Sequence, residues 1–229
     1  MNIALFGGTF DPIHTGHLRA AKAAAGRFGL DRVLFVPSAH PPHKQAGRLT
    51  PFCHRFAMVA LACATDQRYV PSLLEAPTAD ARPQYSVQTL RALRRRLTPG
   101  DRLFFIIGVD AFLDLPHWRE PRALLDLADF IVVSRPGSDA GKIWSVLPPE
   151  MTLPGPRARA GGLTQSDTIR LRRGTLYILR GIDMHVASRD IREMAATGRR
   201  ISGLVPASVE KYIAKERLYE AAGRGTKQY

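Results

Sequence analysis

The sequence contains two cysteines, Cys53 and Cys63, which is too few for a disulfide framework. Both fall in one predicted helix, ten residues apart, so their Cα atoms lie about 15 Å apart at a rise of roughly 1.5 Å per residue. A disulfide requires Cα atoms within about 7 Å of each other. We therefore predict two buried free thiols and a reducing, cytoplasmic location.

Long apolar runs are also missing. No stretch approaches the roughly 18–20 apolar residues that a membrane-spanning helix needs, so we expect no membrane partner. The first residues, Met1 to Phe6, reach Gly7-Gly8 after a short apolar stretch and have no basic head, so we expect no secretion signal. Of the 229 residues, 45% are hydrophobic and 23% are charged. This composition indicates a globular protein with one sizeable core and excludes collagen-like, coiled-coil and largely disordered chains.

Acidic residues are scarce relative to basic ones. The sequence has 20 Asp and Glu against 33 Lys and Arg, which gives a formal net charge of +13. Such an excess favours anionic partners, among them nucleic acids, acidic membranes and phosphorylated metabolites. An Arg-rich proteome would produce the same balance, so the charge alone does not identify the partner.

Short apolar strands alternate with helical patterns along most of the chain. Each predicted strand is a continuous apolar run, as in strands that are buried on both faces. This alternation predicts an α/β fold, a single domain with a Rossmann-like, doubly wound parallel sheet. The predicted strands are 2–6, 32–36, 69–74, 103–107, 130–133 and 175–179, and the predicted helices are 15–27, 51–64, 86–97, 188–197 and 206–218.

One segment, residues 138–174, departs from this alternation. It is rich in Pro, Gly and Arg, and we expect a mobile basic insertion with a short helix near Ile143 to Val146. A tolerated surface insertion is the simplest interpretation, and contact with nucleic acid or a neighbouring subunit is the alternative. The predicted domain spans residues 1–219, and residues 220–229 are expected to form a flexible tail.

The strongest functional signal is the segment GGTFDPIHTGH at residues 7–17. It follows the first predicted strand and opens the first predicted helix, where backbone N–H groups and the helix dipole attract an anion such as phosphate. His14 and His17 are three residues apart, so their rings can face the same side and donate hydrogen bonds to phosphoryl oxygens. The segment has neither the Rossmann Gly-x-Gly-x-x-Gly spacing nor the Gly-Lys-Ser/Thr of a P-loop. It therefore predicts a phosphate site of another kind.

This segment resembles the (H/T)xGH signature of the nucleotidylyltransferase superfamily, and in particular that of the bacterial nicotinate-nucleotide adenylyltransferase family. Further stretches resemble motifs of the same family, in the same order. They are PPHK at 41–44, HRFAM at 54–58, PQYSVQTL at 83–90, GVD at 108–110 followed by Trp118, SRPG at 134–137 and LVP at 204–206. The similarity covers residues 1–137 and 175–219 and leaves mainly the basic segment unmatched.

The closing motif of the family, ISSTxIR, is altered in this chain. It appears as VASRDIR at residues 186–192, so Ser188 and Arg192 are retained while Ala187 and Arg189 replace a Ser and a Thr. Two hydroxyl groups are lost and one cation is gained. A helix N-terminus and Arg192 could still hold a triphosphate.

The resemblance implies that the protein joins ATP and nicotinate mononucleotide to give deamido-NAD and pyrophosphate, a step of NAD biosynthesis. The mononucleotide phosphate would attack the α-phosphorus of ATP in line. Catalysis would come mainly from positioning and charge neutralisation, with Mg²⁺ carried by the ATP phosphates. ATP and nicotinate mononucleotide are therefore the expected partners.

The resemblance also assigns residues to roles. The implied catalytic residues are His14, His17, Lys44 and Arg192. The implied ATP-binding residues are Gly7, Gly8, Thr9, Phe10, His17, Gly108, Asp110, Ser188 and Arg192, with Asp110 accepting from ribose hydroxyls. The implied mononucleotide-binding residues are His43, Lys44, Tyr85, Ser86, Trp118 and Arg135, with Trp118 stacking on the pyridine ring.

Simpler interpretations of these residues stay open. His14 and His17 could be capping or core histidines, or could form a zinc site with His40 and His43, although no cysteine or carboxylate completes a tetrahedral set. Asp110 could be a helix N-cap. The remaining candidates also have structural alternatives, which are a solvated loop lysine for Lys44, an ordinary helix start for Tyr85 and Ser86, and ion-pair partners for Arg135 and Arg192.

Two other functions are alternatives. A sibling nucleotidylyltransferase would use nicotinamide mononucleotide or another phosphorylated acceptor. A nucleic-acid-binding protein on the same scaffold would account for the net charge, but the paired histidines argue against it because simple nucleic-acid binding does not need them. A steep loss of affinity for nucleic acid as the salt concentration rises would distinguish this second alternative from an enzyme that acts on mononucleotides. The oligomeric state is left open, with a homo-oligomer as one option.

Overall fold

A seven-stranded sheet lies at the centre of the computed structural model, which describes residues 1–41, 49–79, 83–134, 140–153, 168–182 and 186–220. The strands are β1 (Asn2–Gly8), β2 (Arg32–Pro37), β3 (Tyr69–Pro71), β4 (Arg102–Gly108), β5 (Asp129–Val133), β6 (Thr168–Arg170) and β7 (Thr175–Leu179). Their order across the sheet is β3-β2-β1-β4-β5-β7-β6. All neighbours pair in parallel except β6, which pairs antiparallel with β7 at the edge. The Rossmann-like α/β prediction is confirmed, with the correction that the sheet is mixed at this edge.

Helices cover both faces of the sheet. One apolar core holds residues of α1 (Thr15–Phe28), α2 (Phe52–Cys63), α7 (Ser188–Ala196) and α8 (Ala207–Lys215). The second core holds residues of α3 (Ser86–Arg94), α4 (Val109–Leu113), α5 (Pro121–Leu125) and α6 (Ile143–Val146). Side chains of β1 alternate between the two, with Ala4 and Phe6 in the first core and Leu5 in the second. None of the described helices has both the length and the apolar character that crossing a bilayer requires.

The predicted elements are found within a few residues of their expected bounds. In α1, small Ala side chains allow close packing on the sheet, and the helix ends at Gly29, which has the left-handed φ of 56° that favours glycine. The third strand is shorter than predicted and ends at Pro71 instead of residue 74. Proline lacks the N–H group that would continue the sheet ladder.

The two cysteines of α2 differ in their surroundings. Both are free thiols, and Cys63 is buried as predicted, with burial raising its pKa to about 12. Cys53 is exposed, so the prediction that it is buried was wrong. The reason is geometric, because ten residues at roughly 100° each place the two side chains about 80° apart around the helix.

Two described parts of the segment 138–174, residues 140–153 and 168–174, belong to the fold. Ile143, Leu147 and Met151 are buried in the second core, and Ile169 is buried on β6. The predicted short helix is confirmed as α6, and the apolar residues of 140–153 and 168–174 are part of the second core. Residues 154–167, and residues 221–229 of the predicted tail, lie outside the described residues.

Candidate active site

The candidate site lies at the carboxyl ends of the neighbouring strands β1 and β4. The chain proceeds from β1 to β2 and β3 on one side and then continues at β4 on the other. Such a reversal point is where open α/β sheets bind ligands. Gly7 and Gly8 end β1, Gly108 ends β4, and all three line one cavity. A Cβ atom at Gly8 would lie 3.0 Å from the Phe10 ring, so a side chain there would crowd the site.

Residues 9–14, which we call the first loop, join β1 to α1 and are mostly buried. Phe10 adopts a left-handed φ of 49° and is 2% exposed. Its ring packs edge-on against Phe6, with the centroids 5.8 Å apart. Phe10 therefore belongs to the core that supports the site. Its buried side chain does not face the ligand, so only its backbone atoms could contact ATP.

His14 and His17 stand at the N-terminus of α1 with their rings stacked, 3.7 Å between centroids. His14 is the N-cap residue and is 2% exposed, whereas His17 is half-buried. The His14 backbone N–H donates to Nδ1 of His17 at 3.2 Å. Because Nδ1 accepts this bond, the proton of the neutral ring lies on Nε2, which makes Nε2 a donor for a phosphoryl oxygen. His14 and His17 are thus the N-cap and N3 residues of a capping box, so the capping interpretation describes both, and it leaves Nε2 of His17 as the donor.

Arg55 on α2 supports the first loop, a role that sequence reasoning did not assign to it although it lies in the HRFAM stretch at 54–58. Its side chain is 1% exposed. One guanidinium nitrogen donates to the carbonyl oxygens of Thr9 and Ser38, both at 2.8 Å, and Nε donates to that of Thr50 at 2.9 Å. Burial lowers the pKa of Arg55, and the Asp11 carboxylate opposes that shift. The sequence signal that could have indicated this role is a charged residue on the inward side of an otherwise apolar helix.

Asp11 joins the first loop to two distant parts of the chain. Its buried carboxylate accepts a hydrogen bond from the Tyr219 hydroxyl at 2.8 Å and another from the Thr50 backbone N–H at 3.2 Å. Burial, together with the Asp11 charge, raises the pKa of Tyr219, so the phenol keeps the proton that it donates. Tyr219 is a second residue that sequence reasoning did not identify, since an isolated tyrosine gives no signal.

The closing motif meets the first loop from α7. The Ser188 hydroxyl donates to the carbonyl oxygen of Pro12 at 2.9 Å, and an Nη atom of Arg192 donates to that of Asp11 at 2.6 Å. Both predicted residues lie at least 171 positions after His17 in the sequence. The structure nevertheless brings them to the first loop, directly before the helix that carries His17. Each uses one hydrogen bond to fix the loop backbone.

The two departures from the family's closing motif both lie at the N-terminus of α7. Ala187 is the N-cap residue and makes no side-chain hydrogen bond to the helix. The first-turn N–H groups of α7 therefore lack a side-chain cap and can bind an anion. Arg189 is exposed, and its Nε lies 3.7 Å from an Asp190 carboxylate oxygen on the same turn.

A cavity of about 320 Å³ adjoins the ends of β1 and β4. Tyr85 and Ser86, at the start of α3, and Trp118, after α4, all line it. The Trp118 ring packs edge-on against Phe105 of β4, 6.3 Å between centroids. The structure thus brings the three described residues of the predicted mononucleotide side into one cavity, beside Gly7 and Gly8.

A buried carboxyl group, Glu75, also lines this cavity and was missed by sequence reasoning. Its side chain accepts a hydrogen bond from the Thr89 hydroxyl at 2.7 Å and another from Ser38. Burial raises the pKa of Glu75, and these two hydrogen bonds oppose the shift. Glu75 connects the end of β2 to α3, and the signal for it was a lone acid following a short apolar strand.

The remaining predicted residues fall into two groups. Gly108 is the N-cap of α4, so the interpretation of Asp110 as that N-cap was wrong, and Asp110 is exposed on the first turn of the helix. Lys44 and two further predicted residues, His43 and Arg135, lie outside the described residues.

Within the described ranges, no group of three or more His, Cys, Asp or Glu side chains could hold a metal ion. The described residues therefore provide no protein-held magnesium site. His43, which the zinc interpretation would need, lies outside the described ranges.

The sequence matches the family described as cytidylyltransferase-like over residues 5–202. It is 40% identical over 226 residues to a protein of Geobacter sulfurreducens named probable nicotinate-nucleotide adenylyltransferase, covering 97% of this chain and 100% of the relative. A protein of the same name from Solibacter usitatus is 40% identical over 219 residues, covering 96% of this chain and 100% of the relative.

Solved structures share the fold. A nicotinic acid mononucleotide adenylyltransferase of Plasmodium falciparum, in complex with NaAD, has a TM-score of 0.70 at 18% identity, covering 95% of this chain and 97% of that one. The same enzyme in complex with APC has a TM-score of 0.69 at 17% identity, covering 95% and 96%. The fold agrees with these structures, and the sequence agrees with relatives of full length. The chain belongs to the cytidylyltransferase-like family and, within it, to the nicotinate-nucleotide adenylyltransferases.

Proposed function

We propose that this protein transfers the adenylyl group of ATP to nicotinate mononucleotide, forming nicotinate adenine dinucleotide (deamido-NAD) and pyrophosphate in NAD biosynthesis. The observation that carries the proposal lies at the shared edge of β1 and β4. There the first loop and its stacked histidines open α1, and an aromatic cavity begins at Gly7 and Gly8. A reaction that joins two phosphates needs two adjoining sites of this kind.

The chemistry is an in-line displacement at the α-phosphorus of ATP. An oxygen of the mononucleotide phosphate forms the new P–O bond, and the bond to the β-phosphate breaks, so pyrophosphate leaves with the electron pair. The attacking phosphate is already ionised and needs no general base. The residues therefore act by positioning the two phosphates and by neutralising their charge.

His17 is the residue best placed to act on the reacting phosphates. Its Nδ1 is occupied by the His14 backbone N–H, and edge-on packing against Phe10, 5.0 Å between centroids, fixes the ring. Its Nε2–H can then donate to an oxygen of the α-phosphate. A donor held in place before the reaction stabilises the charge that builds up in the transition state without first having to reorient. His14 supports this arrangement by stacking.

The remaining phosphates of ATP would lie between α1 and α7. Ser188 and Arg192 fix the first loop, and the other N–H groups of the Arg192 guanidinium can bind the departing pyrophosphate. The uncapped N-terminus of α7 adds backbone donors. We assign Lys44 to the same phosphates and Gly108 and Asp110 to the adenosine. Mg²⁺ would arrive on the phosphates of ATP.

Nicotinate mononucleotide would occupy the cavity. Trp118 offers an aromatic face for the pyridine ring, and the first turn of α3, at Tyr85 and Ser86, offers backbone N–H groups to an anion. We also assign His43 and Arg135 to this substrate. Both cysteines are free thiols, which fits the cytoplasmic location that we propose.

The test is pyrophosphate release with ATP and Mg²⁺, offering nicotinate mononucleotide and nicotinamide mononucleotide in parallel. We expect rapid release with the acid and much slower release with the amide. Equal rates would keep the adenylyl transfer and reject the nicotinate assignment. Absence of release with either substrate from folded protein would reject the proposed reaction.

A further inference from the structure

The cavity assigned to the mononucleotide is lined by three described residues whose side chains can carry charge, Glu75, His117 and Arg119. Two of them are engaged by neighbours. Thr89 donates to Glu75 at 2.7 Å, and Nδ1 of His117 lies 2.9 Å from the Asp114 carboxylate. Arg119 is the remaining charged group of this wall.

Among the described residues, the Arg119 guanidinium contacts an aromatic ring and forms no salt bridge with an acid. Its central carbon lies 4.9 Å from the centroid of the Tyr85 ring, a cation–π contact. The adjacent acid, Glu120, is bound instead by Arg91, whose two terminal nitrogens lie 3.2 and 2.5 Å from the two carboxylate oxygens. The N–H groups of Arg119 are thus available to an anionic ligand, with no ion pair to a described residue to break.

We propose that Arg119 selects the acid form of the pyridine mononucleotide over the amide. The inference rests on the proposed function. The two mononucleotides share the ribose, the phosphate and the pyridine ring, and they differ in a ring carboxylate against a carboxamide. A guanidinium beside Tyr85 and Trp118 attracts the carboxylate and can bind both of its oxygens through a planar fork of donors. It gains no charge interaction from the amide.

This role is distinguishable from the two other things that Arg119 could do. If Arg119 bound the 5′-phosphate, its loss would weaken both mononucleotides equally, because both carry that phosphate. If Arg119 only held the Tyr85 ring in place, its loss would again affect both substrates. A change confined to the acid substrate is therefore specific to charge recognition at the ring.

The experiment compares kcat/KM for the two mononucleotides in Arg119→Gln, Arg119→Lys and the wild type. We expect Arg119→Gln to lower kcat/KM for nicotinate mononucleotide roughly tenfold and to leave nicotinamide mononucleotide within about twofold, since a charged hydrogen bond contributes on that scale. Arg119→Lys should retain part of the preference. Arg122→Gln is the matched control, because Arg122 is exposed, pairs with Glu150 at 2.7 Å and does not line the cavity.

Quenching of Trp fluorescence by each mononucleotide, without ATP, separates this inference from the proposed reaction. The wild type should bind the acid more tightly than the amide, and Arg119→Gln should lose that difference. Equal losses for both substrates, or an acid preference that survives in Arg119→Gln, would overturn the inference. Absence of turnover in the wild type would count against the reaction alone, because the binding preference is measured independently.

Discussion

The first loop and the cavity wall at residues 117–119 belong to the same site but are built differently. The first loop is mostly buried and receives hydrogen bonds from α2, from α7 and from Tyr219. The wall is a short connection after α4 on which His117 and Arg119 are exposed, and the Arg119 guanidinium packs on the Tyr85 ring. One region is fixed from several directions and the other is not.

This difference fits the roles that we propose for the two regions. Donors that stabilise a phosphoryl transition state must be held in position before the reaction, and any adenylyl transfer makes the same demand. Selecting one mononucleotide over another depends instead on a few side chains at the cavity wall. Such side chains can change without disturbing the core. We therefore expect substitutions in the loop to affect kcat and substitutions in the wall to affect substrate preference.

The largest expected effect is that of His17→Ala, which removes the oriented donor on the first turn of α1, next to the first loop. We expect kcat to fall about 10²–10³-fold, the range for loss of one preorganised donor, while the protein remains folded because the ring is only half-buried. Pyrophosphate release and thermal unfolding measure the two quantities. His54→Gln is the control, since His54 contacts Tyr212 and not the first loop. Wild-type rates from a folded His17→Ala protein would refute the assigned role.

Trp118→Ala tests the wall. Losing an aromatic platform costs roughly 1–3 kcal/mol in base-stacking sites, so we expect the KM for nicotinate mononucleotide to rise about tenfold or more. The KM for ATP should stay within about twofold. Trp118→Phe retains a ring and should recover most of the affinity. A matching rise in the KM for ATP would mean that the wall and the loop are not separate regions, and the comparison would fail.

Tyr219→Phe tests the support of the loop without touching a ligand. The change removes one hydroxyl and leaves an oxygen of the buried Asp11 carboxylate without its donor. We expect the free energy of unfolding to fall by about 1–3 kcal/mol, the cost of an unsatisfied buried group. Tyr212→Phe is the matched control, because its hydroxyl bonds to His54 at a half-buried position and should cost less than about 1 kcal/mol. Equal losses in urea unfolding would show that Asp11 does not depend on Tyr219.

The sequence predicted the parts of this molecule that depend on local pattern. The strands are continuous apolar runs, α1 has small residues and a glycine stop, and GGTFDPIHTGH places His14 and His17 together whatever the rest of the chain does. The roles of Arg55, Glu75 and Tyr219 escaped prediction because they arise from contacts between elements distant in sequence. The apolar residues of 140–153 and 168–174 were visible in the sequence, but only the structure shows that they pack in the second core and that β6 pairs with β7 at the sheet edge.

The smallest expected effect concerns Glu75, the one acid among the described residues that line the cavity. Its folded pKa is raised above the ordinary 4.5 because burial disfavours the charge. The unfolded state therefore ionises first as pH rises, and the wild type loses stability between the ordinary pKa and the raised one. Below that window both states are protonated and the residue contributes nothing. Glu75→Gln keeps an acceptor for Thr89 but cannot ionise.

We therefore expect Glu75→Gln and the wild type to unfold at nearly the same denaturant concentration at pH 4. At pH 8 the variant should be more stable by about 1 kcal/mol, the scale on which burial of a polar group acts. Thr89→Val, which removes a donor to the carboxylate, should move stability in the opposite direction at pH 8. A Glu75→Gln variant that is less stable than the wild type at pH 8 would show that the hydrogen bonds from Thr89 and Ser38 outweigh burial. The part of the cavity around Glu75 would then be held as firmly as the first loop.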